Sequence, residues 1–243
     1  MRIGVLAWVA FLGGCAGGSS TRPDADPSAF APATALTAAL AGTGHIELRW
    51  KDNATREAGY FVEYTTTLDD PFVVLNAVPH GTTMALHPDL APDTRFIYRV
   101  TPYFGEASHA VSTTTARAAD AAAPAEPEPE PMPVPSGDKP LRDTRRASQA
   151  APAKLTARLA APTSVALEWE DRSSDEDGYL VEGTGGFQEF RVLAYVRPDV
   201  TSYRVDDLPP QTKCYFRVRA FYRGLPSRTA EQKTGPGRYT LVR

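Results

Sequence analysis

Glu57-Ala58-Gly59-Tyr60-Phe61-Val62-Glu63 returns 119 residues later as Glu176-Asp177-Gly178-Tyr179-Leu180-Val181-Glu182, and this repetition decides how the whole chain is read. The same offset relates Glu47-Leu48-Arg49-Trp50-Lys51-Asp52 to Ala166-Leu167-Glu168-Trp169-Glu170-Asp171, and Leu36-Thr37-Ala38 to Leu155-Thr156-Ala157. Downstream the offset falls to 118. Leu90, Pro92 and Thr94 match Leu208, Pro210 and Thr212, and Tyr98-Arg99-Val100 matches Phe216-Arg217-Val218. Two copies of one unit, with one residue lost between these landmarks, account for about 170 of the 243 residues.

Ile46, Leu48 and Trp50 alternate with polar neighbours, as do Val165, Leu167 and Trp169, a period of two that marks a strand with one buried face. In the strand that follows, Tyr60 and Val62 share a face, so Glu63 points the other way; Tyr179, Val181 and Glu182 repeat the arrangement. Such runs recur every 10–15 residues or so, with no amphipathic helical pattern between them, which predicts an all-β sandwich for each copy.

With a Trp closing the second strand, the Gly-Tyr-x-Val-Glu strand and the Leu-x-Pro-x-Thr run leading to Arg-Val, each copy resembles a fibronectin type III domain. The resemblance implies an immunoglobulin-like β-sandwich for residues 32–117 and another for 150–235, and by itself no particular function. The family carries a Tyr two residues after that Thr; here the positions hold Phe96 and Cys214. Cys214 is therefore expected to be a buried, inert thiol, with Tyr203 or Phe190 filling the space and a less stable second sandwich as the result.

The N-terminus carries an address. Met1-Arg2 is a short positive region, and Ile3 to Leu12 is an apolar run too short to span a bilayer. Leu12-Gly13-Gly14-Cys15 resembles the lipobox of bacterial lipoproteins. The resemblance implies removal of residues 1–14, lipidation of Cys15 and a membrane anchor through that lipid. Ala16, where Asp would favour retention at the inner membrane, directs the expectation to the outer membrane. Residues 15–31 read as a tether. Only one other cysteine exists, Cys214, so this exported chain has no disulfide framework.

Residues 118–149 are rich in Ala, Pro and Glu, and residues 125–135 alternate Pro with Glu, Met and Val. Alternating Pro excludes a sheet and favours an extended path, about 37 Å for residues 124–135. The segment is expected to be disordered and to hold the copies apart, so that they could engage two sites together. Residues 236–243 form a short tail.

The net charge of −3 divides into −4 over residues 29–115 and +2 over 151–243, neither basic enough for a nucleic-acid groove. The arginines of the second copy alternate along its strands, which predicts solvated strand faces. No nucleophile elbow, P-loop, dinucleotide fingerprint or zinc helix is present. His45, His80, His87 and His109 fall mostly at predicted loops or strand edges, where scattered surface histidines are preferred to a metal site or general base. Asp171, Asp175, Glu176 and Asp177 invite a calcium reading, but an EF-hand counted from Ser173 would need Glu where Thr184 stands, so a solvated loop is preferred. Phe187 and Phe190 could form an aromatic patch or simply pack a hairpin. The sequence thus predicts no enzyme, no catalytic residue, no cofactor and no metal. It predicts a monomeric adhesion, interaction or spacer protein of the cell envelope whose partner, protein or polysaccharide, is unidentified; the alternative is an accessory protein binding wall or matrix polysaccharide.

Overall fold

A computed structural model describes residues 27–42, 44–117, 150–184 and 189–236; Cys15, residues 16–26, the segment 118–149 and Phe187 lie outside the described residues. After a short 3-10 helix (Pro27–Phe30), the first copy forms β1 (Thr34–Leu40), β2 (Ile46–Lys51), β3 (Gly59–Thr65), β4 (Val73–Pro79), β5 (Met84–His87), β6 (Arg95–Phe104) and β7 (Val111–Thr114). The second forms β8 (Ala153–Ala161), β9 (Ser164–Glu170), β10 (Gly178–Gly183), β11 (Arg191–Val196), β12 (Ser202–Val205), β13 (Lys213–Arg223) and β14 (Ala230–Lys233).

In the first sandwich the sheet β1-β2-β5 faces β4-β3-β6, and in the second β8-β9-β12 faces β11-β10-β13. Period-two alternation places Ile46, Leu48 and Trp50 against Tyr60, Val62, Tyr98 and Val100 in one core. Val165, Leu167 and Trp169 meet Tyr179, Val181, Phe216 and Val218 in the other. Each Trp lies over the Tyr of the next strand, with ring centroids 5.9 Å apart for Trp50–Tyr60 and 5.6 Å for Trp169–Tyr179.

The seventh strands are exchanged. β7 does not return to β6 of its own copy; it pairs antiparallel with β13, Val111 opposite Phe216 and Thr114 opposite Lys213. Reciprocally, β14 pairs with β6, Ala230 opposite Tyr98 and Lys233 opposite Arg95. Both crossings begin with the same four-residue pattern, Gly105-x-x-Ser108 and Gly224-x-x-Ser227. Gly105 sits at φ 132°, and a Cβ there would stand 1.9 Å from the Ala220 carbonyl oxygen, so only glycine fits this approach.

Each Ser then clips the crossing onto the foreign strand. Ser108 N donates to Val218 O (2.8 Å) while its Oγ accepts from Val218 N (3.1 Å). Ser227 does the same with Val100 (2.9 and 3.0 Å). At the far end Thr115 Oγ1 accepts from Thr212 N (2.9 Å) and donates to Pro209 O (2.6 Å). Thr234 binds Thr94 N (2.9 Å) and Ala91 O (2.7 Å) in the same way.

The exchange brings β6 and β13 together, and Phe104 pairs with Tyr222 and Tyr103 with Arg223 to join the two large sheets into one. Their outer faces then pack on each other. Phe61, Ala77, Tyr103, Leu180 and Phe221 form a third buried cluster, with Val74, Val192 and Tyr195 at its margin. The Phe61 ring lies 5.3 Å from Phe221 and 5.8 Å from Tyr195, across the join between copies. Burying each large side chain here contributes roughly 1.5–3 kcal/mol, so the contact is a core of its own.

Two expectations are corrected by this packing. Arg219 and Arg223 do not lie on solvated strand faces; their side chains are 11% and 7% exposed, and they reach across to Gly105 and Glu63 of the other copy. Nor are the sandwiches held apart, since they pack on each other; the segment 118–149 itself lies outside the described residues. At its near end Ala116 N donates to Pro162 O and Ala116 O accepts from Gln211 N. At its far end Ala150 is buried in the second core. Both ends therefore belong to the second sandwich, because β7 has already crossed over.

Candidate functional site

Glu63 and Glu182 occupy equivalent places on β3 and β10, on the outer face that the alternation assigned them, and both are buried between the sandwiches. Each is held by the arginine that faces it on the neighbouring strand. Arg99 Nε reaches Glu63 Oε2 at 3.1 Å, and Arg217 pairs with Glu182. Each arginine is also stacked on a phenylalanine: Arg99 on Phe72 and Arg217 on Phe190, both 4.3 Å from guanidinium carbon to ring centroid. Glu, Arg and Phe thus form the same triad twice, the cation stacked on one side and paired on the other.

The copies differ in the rest of the shell. Glu63 also accepts from Thr101 Oγ1 (2.6 Å) and from Arg223 of the opposite copy. Glu182 instead takes Arg219 Nε (2.6 Å), whose guanidinium reaches across to the Gly105 carbonyl. Burial pushes the Tyr103 and Tyr195 hydroxyls well above the ordinary phenol range, so both stay neutral beside this network.

Beside Glu182 the two sandwiches leave a cleft of about 400 Å³, lined by Asn76 and Pro79 on one side and Phe190, Arg191, Arg217 and Arg219 on the other. Phe190 is the described member of the aromatic pair singled out in the sequence. It packs under Arg217 and does not fill the space beside Cys214. One face of its ring is therefore covered by a cation, and Glu182, Arg217 and Arg219 are engaged with one another.

The strand order and the layering decide the fold. Both sandwiches are fibronectin type III-like. Among solved structures, the chain is similar to the FN1–FN3 domains of chicken CNTN1, with 11% identity over 84% of this chain and 98% of that one, at a TM-score of 0.27. It is also similar to a two-domain fibronectin type III segment of chicken tenascin, with 14% identity over 84% of this chain and all of that one, at a TM-score of 0.28. No family model matches the chain, and no curated protein is similar to it.

The four histidines are dispersed. His45 accepts from Asp89 N (3.3 Å), His80 pairs with the buried Glu57, and His109 is exposed on the β7 crossing. His87 ends the edge strand β5, as expected, but its side chain is buried, and its Nδ1 lies 3.0 Å from the Tyr98 hydroxyl. Burial lowers its pKa. The folded state then resists a proton that the unfolded chain accepts, so this group's contribution is present above about pH 6.5 and is lost as the pH falls below it. Melting curves from pH 7.5 to 5 are expected to show a falling midpoint, and His87→Gln is expected to flatten that slope.

Cys214 is fully buried in the second core, and burial raises its pKa. Tyr203, where the first copy has Ala85, packs against the same core and offsets the small thiol that replaces Phe96. Of the acidic run, Asp175 is exposed, while Asp177 is drawn into the join, its carboxylate accepting from Arg223 N (2.8 Å). Asp171 and Glu176 converge instead with Asp199, a residue the sequence reading did not single out.

Proposed function

We propose that this protein is a non-catalytic, lipid-anchored interaction protein of the bacterial cell envelope. Cys15 carries the lipid, residues 16–26 form the tether up to the Pro27–Phe30 helix, whose Phe30 packs on Phe104, and the paired sandwiches present one preassembled surface to a protein partner. The observation that carries the reading is how the polar chemistry is used. Glu63, Glu182, Arg99, Arg217, Arg219 and Arg223 are committed to one another at the join, Arg223 to Glu63 across it, and Cys214 is sealed in a core. These are groups a hydrolase or transferase would hold open to substrate. An interaction protein instead needs a rigid body, which this network supplies.

The address and its orientation are tested together. Wild-type protein is expected in the membrane fraction, and a Cys15→Ser variant in the soluble one. Equal partitioning of the two would remove the anchor from the proposal. Protease treatment of intact cells then separates a surface-facing body, which is digested, from a periplasmic one, which survives until the outer membrane is opened. That result selects the pool in which to seek a partner.

A further inference from the structure

Asp171 follows β9, Glu176 precedes β10, and Asp199 lies after β11, so two loops bring these carboxylates to one end of the second sandwich. One oxygen from each lies within 4.8 Å of the others. Oxygens bound to calcium stand 2.3–2.6 Å from it, so two that share an ion are at most about 5 Å apart. Glu176 is buried, and Asp199 is exposed at the mouth. Among the described residues, no Lys, Arg or His forms an ion pair with any of the three.

The first copy shows what the same framework does without an ion. Asp52 and Glu57 stand at the positions of Asp171 and Glu176, while on the second loop the strand registers align His80 with Pro198 and Gly81 with Asp199. There the His80 imidazole pairs with buried Glu57, and the Tyr60 hydroxyl donates to Asp52. In the second copy Pro198 stands where that imidazole was, and Asp199 takes the place of Gly81, so a base is lost and an acid is added. The fully buried Tyr179, equivalent to Tyr60, turns its hydroxyl toward Asp171 and Glu176 and has no hydrogen-bond partner in bonding geometry. A buried orphan hydroxyl and three convergent carboxylates are each costly alone, and one bound cation with its water relieves both.

We propose that Asp171, Glu176 and Asp199 form a binding site for a hard divalent cation, calcium in particular, at the end of the second sandwich. All three side chains offer oxygen, which suits calcium and disfavours zinc or copper. Three carboxylates leave several positions to water, so the affinity falls in the range of extracellular calcium modules, with Kd about 10⁻⁴–10⁻³ M. Tyr179 stays protonated in this setting and donates to a carboxylate or to a metal-bound water. The ion would fasten the β9–β10 loop to the β11–β12 loop, a link that His80 and Glu57 make in the first copy without metal.

The test uses the full chain and calcium chloride as the probe. Isothermal titration is expected to give one calcium per chain, and 10 mM calcium is expected to raise the melting midpoint by several degrees over sodium chloride of equal ionic strength. Asp199→Gly copies the residue that the first sandwich holds at this left-handed position, Gly81. It should melt like the wild type without calcium and lose at least about tenfold in affinity. Asp199→Asn gives a second, nearly isosteric variant with the same expectation. Absence of calcium-dependent heat or stabilisation in the wild type, or an undiminished response in both variants, overturns the site. An equal response to magnesium chloride overturns the selectivity.

Discussion

Cutting the chain within residues 124–135 is expected to leave its two halves in one particle. With a site-specific protease sequence inserted there, the cleaved protein should elute from a sizing column at the position of the uncut chain. A denaturing gel should show two fragments, and urea should be needed to part them. The reason lies in the exchange: β7 completes the second sandwich, β14 completes the first, and the third cluster of Phe61, Tyr103, Leu180 and Phe221 is shared. Neither half holds a complete set of strands for its own sandwich. Two independent domains on a string would instead separate on cleavage. Elution of two half-sized species under native conditions would refute the exchanged arrangement.

The second large effect is expected at Glu63. Its carboxylate is fully buried and accepts from Arg99, Thr101 and Arg223, so Glu63→Ala removes the shared acceptor of two guanidinium groups inside the join. Removing one partner of a buried pair costs about 3–5 kcal/mol. Urea unfolding is expected to show that loss as a lower midpoint with an unchanged slope, and as one transition for both copies, because the exchanged strands make them unfold together. A change below about 1 kcal/mol, the level of an exposed pair, would show that the network is hydrated and contributes little.

Much of the fold was legible because its determinants are local. The alternation of Ile46, Leu48 and Trp50, the repeat at 119 residues and the Gly-Tyr-x-Val-Glu strand specify faces and turns within each copy. The exchange was not legible, for a physical reason. β7 and β14 are equivalent strands, and β6 and β13 are equivalent receivers, so the hydrogen-bond register reads the same whether the strand goes home or crosses. The available signal was on the other face. Phe61 and Leu180 alternate with the buried core residues, giving β3 and β10 two apolar faces, which a sandwich open to solvent would not need. The acidic run was read only in part, because Asp199 stands 28 residues from Asp171 and only the folding of β10 and β11 brings them together.

The exchange also fixes how the folded body can bear a pull. β1, which follows residues 27–33, lies beside β14, while the strands flanking residues 118–149, β7 and β8, lie beside each other on the other sandwich. A load applied between residue 27 and residue 236 therefore crosses the first sandwich and enters the second only through β13 and its neighbours. Two beads threaded in series would each carry the whole load and double the extension. Here both ends of the load path, β1 and β14, emerge side by side from the first bead.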